Sequence, residues 1–217
     1  MHVAGMILVG GKSKRMGAPK ATLPFGPELL IHRVLRLLLQ TTPSVVVVAA
    51  PAQPLPALPD AVPVVRDRCE GRGPLEAIRV GLEALEDRCE AAYVTACDVP
   101  SLQPGFIRML TEHLPGYRVA VPVEGRHYHP LAALYRVDVL AEVRSLLKRD
   151  RLRPAELFQI VPTCRVPVDR FREVDPDLNS LENLNQPSDY FAALARCGFD
   201  VDQHVRSALR NRASTPW

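Results

Sequence analysis

Residues 8–20 read Leu8-Val9-Gly10-Gly11-Lys12-Ser13-Lys14-Arg15-Met16-Gly17-Ala18-Pro19-Lys20, so that an apolar segment runs directly into a loop dense in glycine and cations. Val3–Val9 has no polar residue in alternation, the pattern of a strand buried on both faces. Gly10 and Gly11 permit a sharp turn whose backbone N–H groups can face an anion. Lys12, Lys14, Arg15 and Lys20 bring positive charge to the same place, where they can meet phosphate oxygens. The stretch predicts the first strand and loop of an α/β sheet, with a loop able to hold a triphosphate. An ordinary glycine turn with solvated cations uses the same residue types, and local chemistry leaves both readings open. Two named phosphate loops are excluded. A Walker A loop ending in Gly11-Lys12-Ser13 needs glycine where Met6 stands, and a G-x-G-x-x-G loop starting at Gly10 needs glycine where Lys12 and Arg15 stand.

Working outward, Leu29–Gln40 carries Leu30, Val34, Leu37 and Leu38 at helical spacing, Val45–Ala50 reads as a buried strand, and Val62–Val65 as a short one. Leu75–Leu85 is a second amphipathic helix, Ala91–Ala96 a strand, Phe106–His113 a helix and Arg118–Val121 a strand. This alternation predicts a mostly parallel sheet covered by helices on both faces. Pro130–Tyr135 follows the preceding strand with no room for a crossover helix, so it is expected as an antiparallel insertion. Val137–Lys148 and Pro154–Ile160 read as helices, Cys164–Val168 as a strand and Ser188–Arg196 as a last helix.

The 217 residues, 47% hydrophobic and 24% charged, suit one soluble domain, expected over residues 1–197, with a tail over 198–217 expected to be poorly ordered. A net charge of +3 is too small to argue for nucleic acid as partner. No apolar run reaches the ~20 residues of a membrane span, and the amino terminus lacks a basic region followed by a long apolar segment and a cleavage site, so no membrane partner and a cytoplasmic location are expected. Five cysteines lack metal or disulfide spacing and are read as reduced thiols. The 21 prolines fall largely in connecting segments such as 51–63.

In an open α/β sheet ligands gather at the carboxyl ends of strands. Three candidates lie at such ends: the loop after Val9, Asp67 and Asp98. One carboxylate suffices to hold Mg²⁺ when substrate phosphates and water complete its shell, although an aspartate there can equally cap a turn. Asp67 can instead pair with Arg66 or Arg68. Gly71 and Gly73 allow close backbone approach to a ligand. His127 and His129 share one face of a short strand but lack a third metal ligand nearby, which favours anion contact or a solvated face.

Leu8-Val9-Gly10-Gly11-Lys12-Ser13-Lys14-Arg15-Met16-Gly17 with Lys20 resembles the signature loop of the MobA-like nucleotidyltransferases, and within that family the molybdenum cofactor guanylyltransferases. Gly73-Pro74-Leu75, Cys97-Asp98-Val99-Pro100, His129-Pro130-Leu131 to Leu134-Tyr135-Arg136, and Asn183-Leu184-Asn185-Gln186-Pro187 resemble its later motifs in the same order. The likeness spans roughly residues 3–195. It implies a single-domain, Rossmann-like three-layer α/β/α fold and Mg²⁺-dependent transfer of GMP from GTP to the phosphate of molybdopterin, with release of pyrophosphate. It further implies nucleotide binding by Leu8, Gly10, Gly11, Lys20, Asp67, Gly73 and Asp98, metal binding by Asp98, and acceptor binding by Asn183 and Asn185. Arg15 is assigned to the β- and γ-phosphates and Lys20 to the α-phosphate, so that Arg15, Lys20 and Asp98 form the catalytic set. Molybdoenzymes or cofactor-delivery proteins are the implied protein partners.

The chain departs from the family in three places. Val9 replaces the usual alanine, Glu76 stands where a small residue is common, and Val47-Val48-Ala49-Ala50-Pro51 lacks the asparagine that many members place at the end of the second strand. CTP therefore stays open beside GTP, as does cytidylyl transfer to another phosphorylated small molecule. A nucleotide-binding accessory protein without turnover is the reading from a different class, and retention of Arg15, Lys20 and Asp98 argues against it.

Overall fold

The structure is a computed structural model and describes residues 1–10, 16–67, 71–201, 203, 205–207 and 209. Its elements in chain order are β1 (Val3–Val9), β2 (Pro24–Phe25), β3 (Glu28–Leu29), α1 (Leu30–Leu38), β4 (Val45–Ala49), β5 (Val64–Arg66), α2 (Gly73–Ala84), β6 (Ala91–Ala96), α3 (Pro104–Glu112), β7 (Val119–Glu124), β8 (His127–Tyr128), β9 (Ala132–Arg136), α4 (Leu140–Lys148), α5 (Pro154–Leu157), β10 (Thr163–Pro167) and α6 (Pro187–Arg196). The main sheet runs β10-β7-β9-β6-β1-β4-β5, with β8 paired to β7. β1 pairs in parallel with both β4 and β6, and β4 in parallel with β5. β9 is antiparallel to β6 and β7, as expected for the insertion.

All seven residues of β1 are buried, and their alternation divides the interior in two. Val3, Ile7 and Val9 join Val45, Val47 and Tyr93 on one face, against Ile31, Val34 and Leu38 of α1 and Phe106 and Leu110 of α3. Ala4, Met6 and Leu8 join Val46, Val48 and Val94 on the other, against Ile78 and Leu82 of α2 and Val143 and Leu147 of α4. The result is a three-layer α/β/α domain. Each fully buried Leu, Ile or Val contributes about 1.5–3 kcal/mol relative to exposure, which is why unbroken apolar runs are confined to these central strands.

A third cluster joins Met16, Leu23, Phe25, Leu30 and Leu184 to Tyr190 and Leu194 of α6. Phe199, Val201, Val205 and Leu209 pack into it, with Phe199 edge-on to Phe25 at 5.8 Å. The described part of the segment after Gly198 is therefore packed where little order was expected. A few apolar residues suffice there because α6 and the β2–β3 hairpin already supply the surface; the remaining residues to Trp217 lie outside the described ones.

Differences from the predicted elements have local causes. β7 runs on through Pro122, which the apolar pattern took as a stop; its pairing with β9 covers Val119 and Ala120, so the missing proline N–H is not needed by that neighbour. β5 begins at Val64, not Val62, and lies at the sheet edge, where Val64 and Arg66 are exposed. The β2–β3 hairpin and β8 have two residues per strand, too short for any periodicity. Among the described residues no helix is long and apolar enough to cross a membrane.

Candidate active site

The chain order β1, β4, β5 runs one way from the centre of the sheet and β6 lies on the other side of β1, so connections leave in opposite directions at the ends of β1 and β6. A crevice forms at such a switch point. The strand exits are locked side by side: Ala50 N–H donates to Val9 C=O at 2.9 Å, Asp67 N–H to Ala49 C=O at 2.9 Å, and Cys97 N–H to Leu8 C=O at 3.1 Å. This ladder sets Gly10, Ala50, Asp67 and Asp98 around one opening.

A cleft of about 610 Å³ opens there, lined by Leu8, Gly10, Ala50, Gln53, Asp67 and Gly73 among others. That is within the usual range of ligand pockets, about 300–1,000 Å³. Gly73 begins α2 with φ +75°, and an added Cβ would meet only Leu152 C=O at 3.6 Å, so it is the backbone conformation and not crowding that favours glycine. Gly10 is not in the left-handed region, and the turn expected of Gly10 and Gly11 falls on residues outside the described ones. Gly11, Lys12, Ser13, Lys14 and Arg15 lie outside the described residues, as do Arg68 and Cys69.

Below the cleft is a niche of about 50 Å³ lined by Lys20 and Asp98. Lys20 enters it from a single 3₁₀ turn, Lys20–Thr22, whose Ala21 is buried in the core. Asp98 is 6% exposed and accepts two side-chain hydrogen bonds: Lys20 Nζ donates to Oδ2 at 2.6 Å and Asn183 Nδ2 to Oδ1 at 2.8 Å. Its carboxylate is thus turned to the site, and the turn-capping alternative does not describe these contacts. The adjacent Cys97 thiol is pushed up to about 12 by burial and by the Asp98 charge, with Lys20 pulling the other way. It stays protonated and is no nucleophile at neutral pH.

A third cavity, of about 210 Å³, shares Leu131 with the cleft and is lined by Val99, His127, Tyr128, His129 and Asn183 among others. The two histidine rings meet edge to face at 4.8 Å, and buried His129 Nε2 has no hydrogen-bond partner among the described residues. Burial, then His127, lowers the His129 pKa. Asn183 reaches Asp98 because the chain beyond it is fixed at the start of α6. Leu184 N–H donates to Asp98 C=O at 3.1 Å, and Asp189 accepts from Asn185 N–H at 2.9 Å and Gln186 N–H at 3.0 Å in a capping box. Asn185 is exposed and its Nδ2 donates to Asn183 C=O at 3.4 Å, so of the two asparagines it is Asn183 that lines the cavity.

Glu76, the unmatched charge of the sequence, is 4% exposed and turned away from the cleft lining, with Arg79 Nη2 at 2.6 Å. Arg79 also holds Glu83 at 2.5 Å and Glu83 meets Arg144 at 3.0 Å, which ties α2 to α4. No group of three metal-binding side chains occurs among the described residues. The residue missed from sequence is Gln53, which lines both cleft and niche and lies three positions beyond Ala50.

Residues 5–159 match the model of the MobA-like NTP transferase domain. A protein of Mycobacterium bovis (strain BCG / Pasteur 1173P2) named "Probable molybdenum cofactor guanylyltransferase" is 37% identical over 190 residues, covering 85% of this chain and 92% of its own length. One of the same name from Pelotomaculum thermopropionicum is 32% identical over 197 residues, covering 89% and 92%. The crystal structure of molybdopterin-guanine dinucleotide biosynthesis protein A from Archaeoglobus fulgidus shares the fold with a TM-score of 0.72 at 23% identity, covering 91% of this chain and 99% of that one. With the match of residues 5–159 spanning most of the domain and the relatives aligned over most of its length, the chain belongs to the MobA-like NTP transferase family and is a nucleotidyltransferase.

Proposed function

We propose that this chain transfers GMP from GTP to the phosphate of molybdopterin, giving molybdopterin guanine dinucleotide and pyrophosphate. The observation that carries this is the setting of Asp98: it lines a niche that shares Leu8, Gly10 and Gln53 with a nucleotide-sized cleft, with Lys20 on one carboxylate oxygen, and Asn183, which donates to the other oxygen, lines the second cavity. The names of the relatives supply the chemistry of the two substrates. In this reading the base and ribose of GTP occupy the cleft beside Asp67 and Gly73, and its phosphates extend to Gly10, Gly11, Arg15 and Lys20. Molybdopterin occupies the cavity of Asn183 and His129.

A phosphate oxygen of the acceptor attacks the α-phosphorus, the bond to the β-phosphate oxygen breaks, and pyrophosphate leaves with the electron pair. The attacking oxygen is already anionic, so no protein base or nucleophile is needed, and the work of the enzyme is alignment and charge neutralisation. Lys20 has three N–H donors and can hold Asp98 and an α-phosphate oxygen together. Asp98 fits Mg²⁺: each oxygen accepts one protein hydrogen bond, which leaves lone pairs towards the niche, and water and substrate phosphates complete such a shell. Bound there, Mg²⁺ would neutralise charge on the triphosphate.

Purified protein with Mg²⁺, GTP and molybdopterin is expected to release pyrophosphate only when all three are present. Release preferring CTP would reassign the base, and no release with an acceptor that a control enzyme consumes would overturn the reading.

A further inference from the structure

Among the described residues that line the 610 Å³ cleft, Asp67 and Gln53 carry the polar side chains; Leu8, Val48, Ala49, Ala50 and Ala77 are apolar. Gln53 also lines the niche of Lys20 and Asp98. It sits on the loop after β4, and that loop is held by one guanidinium. Arg66, the last residue of β5, donates from Nη1 to the carbonyls of Ala50 at 3.0 Å, Pro51 at 3.1 Å and Gln53 at 3.0 Å. Gln53 N–H closes the turn on Ala50 C=O at 3.1 Å, and its Nε2 donates to Pro54 C=O at 3.3 Å. An amide has two N–H donors and an oxygen with two lone pairs, so that last bond leaves capacity at both ends.

We propose that Gln53 is the side chain that reads the nucleobase and that Arg66 is a positioning residue that presents it. The proposal rests on the nucleotidyl-transfer reading for the statement that a nucleotide enters the cleft. A base edge buried against apolar walls without a partner is unfavourable, and the cleft offers few side chains to pair with it. The clamp matters because of the order of groups on the bases. Guanine presents a carbonyl followed by a ring N–H, whereas cytosine presents, at the corresponding positions, an amino group followed by a bare ring nitrogen. A freely turning amide serves both orders equally. An amide held in one orientation accepts from the base where guanine donates and meets cytosine with donor against donor. The Nε2 bond to Pro54 C=O gives the amide one orientation, and Arg66, by fixing the loop through the Ala50, Pro51 and Gln53 carbonyls, holds the two residues in place for it, so a permissive amide becomes a selective one without the asparagine at position 50.

The test is the ratio of kcat/KM for GTP to that for CTP, measured with the same acceptor in wild type, Gln53→Ala, Arg66→Ala and the double variant. Loss of one hydrogen bond to the base is expected to move the ratio about 10-fold in Gln53→Ala. Arg66→Ala is expected to move it in the same direction although Gln53 is intact, and the double variant no further than Gln53→Ala, because the two residues act through one contact. Arg66→Lys, which keeps the charge but not the planar fork, replaces Arg66→Ala should the latter melt early. A wild type that prefers CTP and loses that preference in Gln53→Ala supports the role of Gln53 and overturns GTP as the donor. Should the wild type transfer no nucleotide, the ratio of Kd for GTP and CTP by calorimetry reads the same effect. Ratios within about twofold of wild type in both single variants overturn the proposal, and a shift in Gln53→Ala alone overturns the part of Arg66.

Discussion

Replacing Asp98 with asparagine separates its structural from its catalytic part. The Lys20 side chain is 16% exposed and that of Asp98 9%, so their pair lies between a buried one, whose breaking costs about 3–5 kcal/mol, and a surface one worth about 0–1 kcal/mol. The Asn183 amide can turn over to accept from the new amide, leaving its carbonyl towards Lys20, so every partner can stay satisfied and the charge alone is lost. We expect a cost of about 1–2 kcal/mol, and for a domain of this size about 2–4 °C in Tm per kcal/mol. Activity should fall far more, because a carboxylate that holds the metal contributes several kcal/mol to the transition state, about 10³-fold in rate. The assay is single-turnover formation of the dinucleotide product at 25 °C, with Tm measured on the same samples. A variant that melts a few degrees early yet turns over within tenfold of wild type would refute the metal assignment of Asp98.

Lys20→Met should lower turnover by about 10²–10³-fold, the effect of losing one donor to developing charge, with a modest fall in Tm. Asn183→Ala should raise KM for the acceptor with KM for GTP little changed, whereas Asn185→Ala should leave both near wild type, since its side chain is exposed; equal effects would contradict the geometry. Cys97 should resist alkylation at pH 8, its thiol held protonated by burial, and Cys97→Ser should retain turnover within a fewfold; loss of activity in a folded Cys97→Ser protein would point to a chemical role. His129 has a pKa below its ordinary 6.5 when folded, first by burial and then by His127, so the unfolded chain takes up the proton more readily. Its contribution is therefore present above about pH 6.5 and is lost as pH falls below it, towards the lowered folded value. Urea unfolding of wild type should weaken between pH 7 and 5 more than that of His129→Gln, and parallel slopes would exclude this linkage.

The central sheet was legible because β1, β4 and β6 are buried on both faces and write that burial as apolar runs, broken in β6 only by buried Thr95, and the helices between them carry one apolar face each. Edge and short elements were not. β5 exposes Val64 and Arg66, and the β2–β3 hairpin has no pattern to read. Of the candidate site, the strand ends were legible: Leu8, Gly10, Asp67, Gly73 and Asp98 line one cleft or its niche. What could not be read locally was pairing at a distance: Asn183 lies 85 residues from the carboxylate it holds, and Lys20 lies 78 from the same group. Gln53 escaped because nothing in Gln53-Pro54 marks a binding residue until Arg66 gathers the loop carbonyls. Glu76 seemed misplaced for the opposite reason, since helical spacing to Arg79 gives it a partner on the side of α2 that faces α4.

The most direct measurement is mass spectrometry of the small-molecule products after incubating the protein with Mg²⁺, molybdopterin and an equal mixture of GTP, CTP and ATP. A single new species equal in mass to molybdopterin plus GMP, formed with stoichiometric pyrophosphate, is the expected result. Unchanged molybdopterin, alongside complete conversion by a control enzyme, would contradict the assignment of acceptor and reaction together.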